Sequence, residues 1–175
     1  AFLSHWQQVS PSRPLDGGPE ALAEVLEQLA GLFLPLEVWE RDVLPLRLPG
    51  YDPAWLDAVC AQGEFVWLMQ GAGDSGKGKV AFLRRDDVEL VLPLLASEEE
   101  RTLSPIAENI VRVLHELGAA FPMQICKALP AEMGGLQQVL TGLWELASLG
   151  IATNDTFTPV RRGKPPADIP IEVKA

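Results

Sequence analysis

The sequence predicts a mainly helical α+β chain that contains two tandem winged-helix modules. Apolar residues recur at the 3.6-residue period of amphipathic helices in six segments. Two short β-rich segments, joined by a glycine-rich loop, follow the third of these helices. The order helix, helix, helix, hairpin then recurs in the second part of the 175 residues. Three helices followed by a β-hairpin wing are typical of a winged-helix domain.

A proline stands at the start of each of the first three predicted helices. Gly18-Pro19-Glu20 opens the first, because proline suits the first helical position and an acid suits the first turn. Pro35 leads into the second helix, LEVWERDVL, which we expect to end at Pro45. Asp52-Pro53 opens the third, with the aspartate as N-cap.

The hydrophobic period changes after the third helix. The segments EFVWLMQ (64–70) and KVAFLRR (79–85) are short, apolar and rich in β-formers, and they predict the two strands of the first wing. A further apolar segment, VELVLPLL (88–95), predicts an additional strand that Pro93 interrupts.

The loop between these strands resembles an ATP-binding P-loop. Gly71, Gly76 and Lys77 match the pattern G-x-x-x-x-G-K-[ST], but Gly78 stands where the magnesium-binding hydroxyl belongs. A P-loop also requires a helix after it, whose N-terminus binds the phosphates, and here a strand is predicted. We therefore predict a wing tip at this loop.

The second module follows an acidic connector. Ser104-Pro105 begins its first helix, FPMQICKAL forms its second, and its third ends near Gly150. Asn154-Asp155 is predicted at the turn of the second hairpin. The expected domains are 1–95 for an N-terminal helix with the first module, 96–103 for the connector, 104–162 for the second module and 163–175 for a Pro-rich tail.

Composition excludes several classes of site. The two cysteines and two histidines are far apart, so neither a disulfide framework nor a metal site is expected. No apolar run approaches the length of a membrane span and no signal peptide is visible, so we expect a cytoplasmic chain without a membrane partner. Because the chain lacks an initial Met and ends in a Pro-rich tail, we expect a fragment of a longer protein.

Charge limits how this chain can bind DNA. The formal net charge is −10, so its overall field repels phosphates, and neither predicted third helix carries a lysine or arginine. Basic residues occur instead along the predicted wings, where they could contact the nucleic-acid backbone. The candidate nucleic-acid-binding residues are Lys77, Lys79, Arg84, Arg85, Arg161, Arg162 and Lys164.

Four segments resemble the bacterial large helicase-related proteins, called Lhr. They are PGYDPAWLDAVCAQGEFVWL (49–68), LWELASLGIATNDTFTPVR (143–161), the opening FLSHWQQV and the run VWERDVLPLRLPGY. The resemblance covers most of the chain in the same order. Lhr proteins are superfamily 2 ATP-dependent DNA helicases with a DEAD/DEAH box, and this chain is similar to the C-terminal extension that follows their ATPase core.

The resemblance implies a non-catalytic role in DNA repair, either contacting nucleic acid or positioning other domains of the parent helicase. ATP and magnesium would bind in the parent core. No helicase motif occurs in these residues, so no catalytic, cofactor-binding or metal-binding residue is assigned here. Two alternatives remain open: a DNA glycosylase-like module with an incomplete or unrecognised active site, and a pure protein-docking module.

Overall fold

A computed structural model of the chain describes residues 17–71, 78–95, 102–154, 157, 160 and 161. The predicted mainly helical α+β class is confirmed. In the first half, helix α1 (Pro19–Gln28) is followed by the short strand β1 (Leu34–Pro35). Helix α3 (Pro53–Ala61) and strands β2 (Phe65–Gln70) and β3 (Lys79–Arg84) come later in the chain. The Asp52 carboxylate caps α3 by accepting a 2.8 Å hydrogen bond from the Ala54 amide.

The second helix, α2, runs past the proline at which we expected it to end. It consists of Leu36–Val38, a π-helical turn at Trp39–Val43, and Leu44–Arg47. Pro45 lacks an N–H and its ring crowds the preceding turn. The wider π-helical turn before it accommodates this proline without ending the helix.

The π-helical turn also directs Trp39 into the core. Its side chain is fully buried, and its indole N–H donates a 2.8 Å hydrogen bond to the carbonyl of Val80 on β3. The ring meets Phe82 edge to face at 5.3 Å. These contacts fix α2 against the sheet.

Trp39→Phe is expected to lower the free energy of unfolding by about 1–2 kcal/mol, because the bond to Val80 is lost and the smaller ring leaves space. Urea denaturation measures the change. Trp55→Phe, at a half-buried tryptophan of α3, is the control and should cost less. If both substitutions lowered the free energy of unfolding equally, the hydrogen bond from the Trp39 indole to Val80 would contribute nothing to stability.

The sheet has the strand order β1-β3-β2 and is antiparallel throughout. Phe65 pairs with Arg84 at one end of the β2–β3 hairpin, and Gln70 pairs with Lys79 at the other. Side chains alternate between the two faces. One face carries Phe65, Trp67, Met69, Val80 and Phe82 into the main core with the helices. The other carries Val66, Leu68 and Leu83 into a smaller cluster.

A helix stands where the sequence predicted an additional strand, so that prediction is wrong. After a 3₁₀ turn at Arg85–Asp87, helix α4 covers Val88–Leu95. Val88 and Val91 lie three residues apart on one side of this helix and pack on the second face of the sheet. Tertiary packing thus overrides the β-propensity of VELVLPLL.

The second half contains helices α5 (Pro105–Leu117), α6 (Pro122–Ala128) and α7 (Leu136–Ser148), in agreement with the three predicted helices. They enclose a separate cluster of buried apolar side chains. The Ser104 hydroxyl caps α5 and donates to Glu145 on α7, which also accepts from the Ser104 amide at 2.7 Å. This contact ties the start of α5 to α7.

The second predicted hairpin is not formed by the described residues 151–154 and 157, none of which lies in a strand. Asn154 lies in irregular backbone, and Asp155 is outside the described residues. Amides of Ile151 and Ala152 instead bond back to the Leu146 carbonyl at the end of α7. Phe157 then enters the main core, and Val160 and Arg161 are helical. Because Phe157 is buried in the main core with the first module, these residues do not form the predicted hairpin.

The main core therefore includes residues from both predicted modules. Trp144 and Ala147 of α7, together with Phe157 and Val160, join the core of α1, α2, α3 and the sheet. Gly150 has φ +69°, and a Cβ there would lie 3.0 Å from the Met69 carbonyl of β2. Within the described part of the chain, no helix is long and apolar enough to cross a membrane.

Candidate nucleic-acid interface

The first wing presents Lys79 to solvent. This lysine begins β3, opposite the exposed Gln70, and is the last exposed position before the buried part of the strand. The predicted strand after the glycine-rich loop is confirmed, so no helix N-terminus follows Gly78 to bind a phosphate. Lys77 lies outside the described residues, as do the other residues of 72–77.

Arg84 lies at the opposite end of β3, and its guanidinium contacts other side chains of the protein. Its guanidinium is 3.5 Å from the Glu27 carboxylate of α1 and 5.9 Å from the ring centre of Phe65. The two side chains are 41% and 58% exposed, so solvent screens the pair and it contributes little to stability. The neighbouring carboxylate nevertheless offsets the positive charge that Arg84 offers to a phosphate.

Arg85 is exposed and stands just after β3. Its Nε donates a 2.6 Å hydrogen bond to the Gly63 carbonyl, and its backbone amide donates to Glu64. These bonds hold the stem of Arg85 across the turn between α3 and β2. The exposed guanidinium is therefore positioned at the base of the wing, while Lys79 lies at the far end of the same strand.

Arg161 does not face solvent as a free cation. Its Nε donates to Glu40 at 2.9 Å, and its Nη1 bonds both oxygens of Asp57 at 2.8 and 2.6 Å. Its Nη2 donates to the Pro53 carbonyl at 2.8 Å. These carboxylates already neutralise the charge of Arg161, which counts against the predicted contact with nucleic acid, and that contact stays a prediction.

The charges around Arg161 shift the pKa of its own guanidinium and that of Tyr51. Burial lowers the pKa of its guanidinium, but hydrogen bonds to Asp57 and Glu40 outweigh burial, so the pKa is raised overall. The Tyr51 hydroxyl lies 3.5 Å from the same Glu40 carboxylate, and burial followed by this charge raises the pKa of Tyr51. Arg162 and Lys164, the other predicted basic residues of this segment, lie outside the described residues.

Neither third helix resembles a basic recognition helix. In α3, Asp52 serves as the N-cap and Asp57 binds Arg161. In α7, the exposed positions of the first turn are Gln137 and Gln138. Since a recognition helix normally reads bases from its N-terminal residues, direct base readout is weakly supported here.

Other chemistry-bearing residues do not form a site in the described part of the chain. No group of three or more histidine, cysteine or carboxylate side chains there could hold a metal ion. Burial, followed by the nearby Asp57 charge, raises the pKa of the Cys60 thiol to about 12. A small cavity near His115 is otherwise bordered by apolar side chains of α5, α7 and residues 151–152.

Sequence reasoning missed Glu40 and Asp57 as functional partners. They lie 121 and 104 residues from Arg161 along the chain, and no motif links them. Asp57 is half-buried and lies outside the buried face of α3, where an acidic residue is common. Only the path of the chain after α7 brings the three side chains together.

Comparison with known sequences agrees with this architecture. Residues 1–85 match the family described as large helicase-related protein, winged-helix domain. A Mycolicibacterium smegmatis protein named Lhr helicase/probable uracil glycosylase is 37% identical over 160 residues, which cover 91% of this chain and 10% of that protein. An Escherichia coli protein named Lhr helicase/uracil glycosylase is 33% identical over 148 residues, covering 82% of this chain and 10% of that protein.

The chain therefore spans about a tenth of the length of the curated relatives it matches. Within that tenth, the family match and the observed order of α1, β1, α2, α3, β2 and β3 agree on a winged-helix domain. The resemblance seen in the sequence is confirmed: this chain belongs to the large helicase-related (Lhr) family, and residues 1–85 carry its winged-helix domain.

Proposed function

We propose that this chain is a non-catalytic part of an Lhr-type DNA helicase that contacts the nucleic-acid backbone through its first wing. The observation that carries the proposal is the placement of exposed cations. Lys79 begins β3 and Arg85 directly follows its last residue, at the base of the wing, whereas the third helix of the same module is acidic. Backbone contact needs only positive charge and places no demand for base-specific side chains.

Weak, salt-sensitive binding follows from the charge distribution. The net charge of −10 opposes approach of a polyanion, so only the local field of the wing favours contact. Lysine and arginine that neutralise phosphates release counterions, and affinity then falls with salt concentration. The proposed contact positions nucleic acid and does not select a sequence.

We further propose that the parent protein supplies the chemistry. Both relatives are named helicases, and this chain would be the C-terminal extension behind a DEAD/DEAH-box core that binds ATP and magnesium. The three-helix unit α5–α7 is held on the winged-helix domain by a shared core, so the chain can also hold other parent domains in place. A cytoplasmic location and a role in DNA repair belong to the same proposal.

Replacing Lys79 with Gln should weaken binding to single-stranded and duplex DNA by a similar factor for every sequence. The slope of log affinity against log salt should flatten by roughly one unit, because one phosphate contact is lost. Fluorescence anisotropy at several salt concentrations measures both quantities. Lys127→Gln, at an exposed lysine on α6, removes the same charge away from the wing and serves as control.

Equal effects of the two substitutions would mean that net charge alone controls binding, and the wing would be removed from the contact surface. If the unmodified chain binds no DNA even at low salt, the backbone-contact proposal fails. A protein-docking role would then be the better account of the same winged-helix domain.

A glycosylase-like module is the second candidate, because both relatives carry uracil glycosylase in their names. Such an enzyme needs polar groups that read a flipped base and position water in a pocket. The cavity near His115 is bordered mainly by apolar side chains, which offers little support. Incubation of the chain with uracil-containing DNA tests this candidate, and release of uracil would favour it over the non-catalytic proposal.

A further inference from the structure

We infer that Phe157, Val160 and Arg161 form an intramolecular latch that closes on the third helix of the winged-helix domain and can open without global unfolding. These three residues follow α7 in the chain, yet all of them pack on α2, α3 and the sheet. Opening of the latch changes the conformation of the chain and does not require contact with nucleic acid.

Phe157 is the apolar anchor of the latch. Its ring is fully buried, lying 6.1 Å from Trp67 on β2 and 5.5 Å from Phe82 on β3. The amides of Val160 and Arg161 both donate to the Phe157 carbonyl, at 3.1 and 3.3 Å. The Arg161 guanidinium lies above the Phe157 ring, 5.4 Å from its centre.

Arg161 is the polar half of the latch. Its planar guanidinium binds Glu40 on α2, Asp57 on α3 and the carbonyl of Pro53 at the same time. Only arginine carries the rigid fork of donors that reaches three such acceptors. Its side chain is 24% exposed, so water can compete for these bonds.

The closed latch bonds to the N-terminal turns of α3 without burying them, since Asp52, Pro53 and Ala54 stay exposed. Pro53 is the first residue of that helix and Asp57 lies one turn further on. In winged-helix domains this end of the third helix normally enters the major groove. With the latch closed, the domain presents its wing while the reading end of α3 is held by Arg161.

Cys60 provides a reporter for opening. It lies on α3 three residues after Asp57, and its side chain is 1% exposed. Because a thiol reacts as its thiolate, buried Cys60 is expected to react with an aromatic disulfide reagent only when the latch region opens. Cys126→Ser removes the other thiol, so the labelling rate then reports on Cys60 alone.

In this background, Arg161→Gln should accelerate Cys60 labelling by roughly tenfold or more, since three hydrogen-bonded contacts of one guanidinium are lost. Asp57→Asn keeps the shape of the acceptor and should accelerate labelling in the same direction. Arg112→Gln, at an exposed arginine on α5, makes the same charge change away from the latch and should alter the rate by less than about twofold.

A second reporter separates latch opening from general destabilisation. In a Cys60→Ser background, labelling of the half-buried Cys126 on α6 should be unchanged by Arg161→Gln. Equal acceleration at both thiols would overturn the latch, because global unfolding alone would explain it. Unchanged Cys60 labelling in both the Arg161 and Asp57 variants would overturn it as well. If the Arg161→Gln variant does not fold, the Cys60 labelling rate of the Asp57→Asn variant tests the latch.

Discussion

Phe157→Ala is expected to lower the free energy of unfolding by about 3–5 kcal/mol, the range observed for truncation of a buried aromatic ring. The side chain is fully buried between Trp67 and Phe82, so its removal leaves a cavity that the two strands cannot close. Phe157 comes after α7 in the chain, yet its truncation would destabilise the winged-helix domain, because the ring lies in that domain's core. Urea denaturation followed by tryptophan fluorescence measures this change.

Phe121→Ala is the matched control, because that phenylalanine is 76% exposed at the start of α6. Its substitution should change the free energy of unfolding by no more than about 0.5 kcal/mol. Since the two modules share a core, the Phe157 variant should still unfold in one transition with an unchanged denaturant slope. Two separate transitions in the unmodified chain would contradict the shared core.

Gly142→Val is expected to destabilise the chain by about 3 kcal/mol through overpacking. A Cβ at Gly142 of α7 would lie 2.6 Å from the Cδ1 atom of Ile110 and 3.4 Å from two atoms of Ile106. Ile110 is itself fully buried, so it has little room to move away from a β-branched side chain. The absence of a side chain at this position lets α5 and α7 approach closely.

Thr141→Val introduces the same side chain one residue earlier, on the exposed side of α7. Threonine and valine have similar helix propensities, so the free energy of unfolding should change by no more than about 0.5 kcal/mol. Thermal unfolding of both variants, monitored by circular dichroism, makes the comparison. Similar losses at the two positions would mean that valine is unfavourable in α7 for reasons other than contact with α5.

Local signals explain why most elements could be predicted. The N-cap at Asp52 and the prolines at or just before the starts of α1, α2, α3, α5 and α6 specify helix starts through their own backbone chemistry. Alternation of side chains in β2 and β3 agrees with a sheet whose two faces are both covered. The family resemblance likewise rests on residues adjacent in sequence.

The errors arose where distant contacts outweigh local preference. The segment Val88–Leu95 is β-rich in composition but forms α4, because Val88 and Val91 cover an apolar sheet face that would otherwise meet water. At Asn154, the turn signal was compatible with a hairpin, but burial of Phe157 draws the following chain onto the first module.

The sequence by itself determined the helix starts other than that of α4, the strands of the first wing, the acidic character of the third helix and the family. Only the tertiary structure decided that Arg161 binds Glu40 and Asp57. The physical reason is that an ion pair depends on distance in space, and these partners are more than 100 residues apart in the chain. Composition reveals a cation, whereas packing determines which anion neutralises it.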